Sequence, residues 1–197
     1  IDTPINIRRD NTLSKPLNSI SPTDRVNCIV TNPPFGGIEE DGIETNFPSA
    51  YRTKETADLF LLYIMAKLKV NGRAGIVLPD GALFGEGVKT RIKEKLLQEC
   101  NLHTIIRHTK SVFSPYTSIN TNLLFFTKGA PTQETWFYRL DMPEGYKNFS
   151  KTKPMKREHL KPVDEWWNNR KEINIDGFDK AKKYTIQEIK ERNYNLD

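Results

Sequence analysis

Between residues 28 and 106, short apolar runs alternate with segments of helical period, and this alternation constrains the fold more than any other feature. Cys28-Ile29-Val30 is an apolar run of buried-parallel-strand size that ends at Asn32-Pro33-Pro34-Phe35. Residues 57–69 are apolar nearly all round, which predicts a deeply packed helix with Thr56 as its cap and Asn71-Gly72 as its stop. A second strand is expected at 74–78, closed by Pro79. Val88, Ile92, Leu96 and Cys100 then recur every four residues with Leu97 beside them, the spacing of one face of an amphipathic helix. A third strand is expected at 102–106. Strand, helix, strand, helix, strand specifies an α/β fold built on parallel strands with right-handed helical crossovers. Runs at 122–127 and 135–140 have no helical pattern between them, so the sheet is expected to end with an antiparallel strand. Ligands of such sheets bind beyond the carboxyl ends of the parallel strands. Asn32, Pro79-Asp80 and the loop at 108–118 should therefore converge on one edge.

Outside this core the pattern weakens. Residues 36–54, with Gly36, Gly37, Gly42 and Pro48, read as a long loop, a length at which loops are functional or mobile. After residue 141, Trp166-Trp167 and the lysine cluster at 180–183 suggest a small, mostly helical extension docked by Ile186, Ile189 and Tyr194.

Composition excludes several classes. A chain of 197 residues with 37% hydrophobic and 28% charged side chains fits one globular domain with a small appendage, not a disordered chain. No apolar run approaches the ~20 residues needed to span a bilayer. Two cysteines, Cys28 and Cys100, rule out a disulfide scaffold, and each sits in an apolar pattern as a small core residue. His103, His108 and His159 lack metal-ligand spacing. No charged-then-apolar leader follows Ile1, and a reducing, cytoplasmic setting is expected.

Charge is uneven: 17 basic against 16 acidic side chains in residues 1–146, but 13 against 9 in residues 147–197. The densest stretch, 147–161, could neutralise nucleic-acid phosphates or lie as a solvated surface loop. The acidic patch of Glu39, Glu40, Asp41 and Glu44 should not lie directly on a phosphate backbone.

Asn32-Pro33-Pro34-Phe35 is the segment that carries chemistry. At ordinary proline usage such a quartet arises by chance in roughly one chain per thousand. A residue before proline is pushed out of the helical region, so Asn32 is extended. Pro33 and Pro34 fix their own φ angles and carry no N–H donors. The segment thus offers an amide oxygen and a backbone carbonyl on a stiff frame, with an aromatic ring beside them: two acceptors and a stacking face for a planar NH₂ group. The plainer reading is a rigid strand-to-loop turn.

With these residues the chain resembles the class I, S-adenosylmethionine-dependent amino-methyltransferases that act on adenine in DNA. It looks most like the methylation subunit of type I restriction–modification systems. Further carriers of the resemblance are Ala57-Asp58-Leu59-Phe60-Leu61, Asn71-Gly72-Arg73-Ala74-Gly75-Ile76-Val77-Leu78-Pro79, and Phe113-Ser114-Pro115 leading into Ser118-Ile119-Asn120-Thr121-Asn122-Leu123-Leu124-Phe125-Phe126. The resemblance implies a partial Rossmann-like sheet and transfer of a methyl group from S-adenosylmethionine to adenine N6. It implies that the Asn32 side-chain oxygen and the Pro33 carbonyl accept from the target amino group. Phe35, on the stiff frame with Pro34, would stack on an adenine turned out of double-stranded DNA, and Phe113 would contact that base from another side. Phe60 and Asp10 would help bind the cofactor's adenosine. No metal is implied. The implied partners are DNA, a specificity subunit and a restriction subunit. From the residues alone, Phe60 fits helix core equally well and Asp10 a surface turn.

One departure matters. The family holds the methionine end of its cofactor with a glycine-rich turn upstream of the catalytic motif, and here Gly36 is the earliest glycine. Residues 1–140 are therefore expected to be the second half of a catalytic domain, and 141–197 a basic, truncated extension. Alone, the chain is expected to bind cofactor poorly and to be inactive. The quartet also suits methylation of another planar amine or amide, an RNA base or a protein glutamine. A non-catalytic DNA-binding scaffold is the reading from a different class.

Overall fold

The computed structural model describes residues 9–196. A seven-stranded sheet of order β1-β2-β4-β3-β5-β7-β6 forms its frame. Strand β1 (Val26–Thr31) crosses through α1 (Thr56–Lys67) to β2 (Leu68–Pro79), which lies parallel to it. From β2 the chain passes through α2 (Asp80–Phe84) and α3 (Val88–Glu99) to β3 (Cys100–Arg107). Strand β4 (Thr121–Lys128) inserts antiparallel between β2 and β3, and β5 (Glu134–Arg139) returns parallel to β3. The two crossover helices are those expected from the sequence, but α1 ends at Lys67 and Asn71-Gly72 lie inside β2, and the antiparallel strand is inserted within the sheet rather than ending it. The parallel strands β1, β2, β3 and β5 all end on one edge.

Two cores hold the sheet, and alternation within each strand assigns its side chains to opposite faces. Ile105, Leu124 and Phe126 join α1 and α3 in the larger core, with Leu59, Leu62, Met65, Ile92 and Leu96 all buried. Ile106, Tyr138 and Leu140 point the other way, into a second core closed by Val163 and Trp166 of α4 (Lys161–Asn168).

Four local expectations are corrected. Thr56 is the first helical residue rather than a cap, and Glu55 occupies the cap position with no side-chain bond. Strand β1 is not buried: it is the sheet's edge, Val30 is 84% exposed, and Cys28 is a surface thiol while Cys100 is fully buried. The run is apolar, but nothing among the described residues covers its outer side. The lysine cluster at 180–183 lies in strand β7 (Phe178–Thr185), not in a helix; β7 pairs with β5 and, across Asp176-Gly177, with β6 (Ile173–Ile175). The extension is therefore not mostly helical. It combines α4 and α5 (Ile186–Glu191) with a hairpin that continues the sheet across residue 140.

Loop 36–54 is pinned to the body. Phe47 is buried in the larger core, and Glu39 N–H donates to the Lys54 carbonyl at 2.8 Å. Among the described residues, no helix is long and apolar enough to cross a membrane.

Candidate active site

Asn32 follows the last residue of β1, at the edge where the parallel strands end. Its side chain is exposed and has no hydrogen-bond partner among the described residues. Pro33 is buried and Pro34 exposed, so the first proline anchors the segment in the body while the carboxamide faces outward. The chain turns at Gly36, whose φ of +64° suits glycine, and Gly37 passes close to the start of α1. There the Gly37 carbonyl accepts from Thr56 N–H at 3.1 Å, and a Cβ on Gly37 would stand 2.9 Å from the Thr56 hydroxyl. The motif and the first turn of α1 are thereby locked together.

Phe35, half-buried, meets Phe113 edge to face, with ring centroids 5.2 Å apart at 70°. The structure thus brings the 32–35 segment and the 108–118 loop together. His108 supports the loop from beneath: its ring lies 6.5 Å from that of Phe113, and its Nδ1 is 2.9 Å from the Thr121 hydroxyl. Burial pushes the His108 pKa down to about 4, so at neutral pH it is an uncharged strut. Phe149 N–H donates to the Ser111 hydroxyl at 2.8 Å, which ties the far side of the loop to the extension.

Asp80 arrives on the same edge at the start of α2. Its carboxylate accepts from Asn122 Nδ2 at 2.8 Å and from Arg107 at 2.9 Å, joining the ends of β2, β3 and β4. Arg107, Asn122 and His108 were not singled out as site residues in the sequence, because they stand at the ends of β3 and β4 and only the strand order brings them to Asp80 and Phe113. Behind the motif, Lys89 bonds both Asp58 and Glu55 at 2.6 Å. Burial pushes the Asp58 carboxyl up even against the pull of Lys89.

Phe60 and Asp10, the two residues the resemblance assigns to cofactor, do not line one cleft together. Phe60 is half-buried in the second turn of α1, against the larger core. Asp10 is exposed and lines a cleft of about 350 Å³ with Asn11, Tyr63 and Lys67. Tyr63 and Lys67 share the helix with Phe60, but Phe60 itself does not line that cleft. Among the described residues, no three His, Cys, Asp or Glu side chains converge as metal ligands.

An open α/β sheet, an Asn-Pro-Pro-Phe turn at its carboxyl edge and an antiparallel strand inserted beside the parallel ones define an amino-methyltransferase architecture. The chain belongs to the N-6 DNA methylase family, whose pattern it matches over residues 1–197. It is 56% identical over 199 residues to the methylase subunit of the type I restriction enzyme EcoEI of Escherichia coli, across 100% of this chain and 40% of that protein. Among solved structures, it superposes with a TM-score of 0.87 and 37% identity on a chain of a type I R-M system studied for complex assembly and conformational transition, over 98% of this chain and 41% of that one. The type I restriction enzyme EcoKI M protein matches with a TM-score of 0.74 and 25% identity, over 94% of this chain and 44% of that protein. The chain thus spans about 40% of the length of the relatives it matches.

Proposed function

We infer that the protein containing this chain transfers a methyl group from S-adenosylmethionine to N6 of adenine in double-stranded DNA, as the modification subunit of a type I restriction–modification complex. The observation that carries this reading is the uncommitted carboxamide of Asn32 at the end of β1, beside Phe35 and Phe113, whose rings meet at 5.2 Å. Asn32 Oδ1 and the Pro33 carbonyl accept from the two N–H groups of the exocyclic amine. These bonds hold the nitrogen lone pair out of conjugation with the ring and aim it for in-line attack. Proline at 33 and 34 removes competing N–H donors and fixes the direction of the carbonyl. Phe35 stacks on the base, which leaves the duplex to reach it, and Phe113 bounds the base from a second side. Catalysis here is positioning of two reactants, with no strong general base required.

Two residues named by the resemblance would supply part of a cofactor site. Phe60 offers an aromatic surface on α1, and Asp10 a carboxylate in the cleft beside Tyr63 of the same helix. These would hold the adenosine end of S-adenosylmethionine, whose sulfonium supplies an electrophilic methyl when bound. No glycine precedes Asn32 to cradle the methionine end, so the 197-residue chain by itself holds the cofactor weakly. A separate specificity subunit supplies sequence choice and a restriction subunit completes the complex. Such a complex works in the cytoplasm.

Asn32→Ala in the full-length gene product, assembled with its specificity subunit, tests the reading. Labelled-methyl transfer to duplex DNA should fall by at least about 100-fold, as when a preorganised polar group is removed from a reacting centre. Cofactor binding by calorimetry should stay close to wild type. Undiminished transfer overturns the role of Asn32, and a preference for RNA or protein over duplex DNA overturns the substrate.

A further inference from the structure

We propose that the cleft formed by Arg107, Lys110, Arg139 and Lys147, beside the Phe113 loop, is the seat of the DNA phosphodiester backbone flanking the target nucleotide. The inference rests on the methyltransferase reading above and locates the surface through which that site holds its substrate. The cleft measures about 360 Å³, and these four cations face a single carboxylate, Asp141. Asp141 is already engaged by Lys180 at 2.5 Å and, more loosely, by Arg139 at 3.9 Å. Lys110 and Lys147 are exposed and form no ion pair among the described residues. Arg107 is held in place by Asp80 at 2.9 Å. Cations gathered in one concavity repel each other unless an anion offsets them, and such a concavity concentrates polyanions.

Position selects the kind of anion. Arg107 and Arg139 end β3 and β5 on the edge where Asn32 ends β1, and the wall of the cleft, His108-Thr109-Lys110, runs directly into the loop carrying Phe113. A second depression shares Arg107 and Arg139 and continues to Lys180 and Lys182 on β7, where Asp179 pairs with Lys182 at 2.9 Å. The cations therefore form a row across successive strand ends, which suits a repeating anion better than an isolated one. Lys147, the first cation of the basic stretch singled out in the sequence, lines this cleft, and the rest of that stretch lies outside it. Arg157 is bound to Asp164 at 2.7 Å and Lys156 lies 3.6 Å from Glu158, so two of its cations are already matched.

The test measures duplex affinity of the full-length gene product, assembled with its specificity subunit, against salt for Lys110→Gln/Arg139→Gln/Lys147→Gln and for a control, Lys151→Gln/Lys153→Gln/Lys156→Gln. Each phosphate that is no longer neutralised should lower the slope of log K against log salt by about 0.9, so the slope should drop by roughly 2 to 3 in the cleft variant and by less than about 1 in the control. S-adenosylmethionine affinity should not change. A cleft variant with wild-type slope, or a control with the larger drop, overturns the proposal. Should the triple variant fail to fold, Lys110→Gln and Lys147→Gln serve singly, and unchanged slopes in both overturn it equally. If the wild-type protein methylates duplex DNA while the cleft variants keep its slope, only the cleft assignment fails. If the wild type, assembled with its specificity subunit, neither binds nor methylates duplex DNA, the methyltransferase reading itself fails.

Discussion

His108 shows how burial converts a titratable group into a structural one. The ring is 9% exposed, and desolvation alone sets its pKa near 4, against 6.5 for the free side chain. Because the folded value is depressed, the unfolded chain takes up a proton first as pH falls. Stability conferred by the neutral ring is complete above pH 6.5 and is lost progressively as pH falls toward 4, by about 3 kcal/mol in all. His108→Gln keeps a polar partner for Thr121 but cannot titrate. Urea unfolding between pH 7 and 4 should therefore be flatter in the variant than in wild type by that amount, and parallel curves would refute the assignment. Asn32 poses the opposite case: no titration, no internal partner, and a geometry fixed by its proline neighbour. That geometry was legible in the sequence because proline's restrictions are local. The meeting of Phe35 and Phe113 was not, since it depends on where two distant loops are carried by the sheet.

At the scale of elements, α1 announced itself as a long run apolar nearly all round, and α3 as a long segment with its buried side chains at helical spacing. Helix α2 did not, with only five residues and two of them buried. Strand β7 was hidden for a different reason: Ala181 is its single buried side chain, and the lysines on both faces mask any alternation of period two. Strand β4 was recognised as a strand, yet its insertion between β2 and β3 is a matter of sheet order, which no local pattern encodes. Within α3, Lys93 departs from the apolar face it shares with Ile92 and Leu96. It is 2% exposed, and its ammonium, lowered to about 8 by burial, donates to the carbonyls of Leu83 at 2.7 Å and Gly85 at 3.0 Å. It thus ties off the end of α2, the element that begins with Asp80. Lys93→Met should leave the Gly85 carbonyl without a donor and cost about 1–3 kcal/mol in urea unfolding. A variant as stable as wild type would show that the ammonium's burial cost cancels those bonds.

Across the whole molecule, the strand that leads into the Asn-Pro-Pro-Phe segment is also, among the described residues, an edge of the sheet. Among the described residues strand β1 pairs only with β2, and one of its faces carries Val30 at 84% and Val26 at 41% exposure beside the surface thiol of Cys28. An edge of unpaired backbone and β-branched side chains is a template for another strand, and natural proteins usually blunt such edges with charge or cover. Here no lysine stands on β1, while the opposite edge strand, β6, is only three residues long. The 197-residue chain should therefore self-associate through β1 in a concentration-dependent way, crowding Asn32 at the strand's end. Val30→Lys should place a charge on that face and lower the association constant several-fold by sedimentation velocity. Because the side chain touches little, unfolding stability should change by no more than about 0.5 kcal/mol. Unaltered association in Val30→Lys would mean that copies meet elsewhere. A large loss of stability would instead mean that Val30 packs against something in solution, which its exposure here argues against.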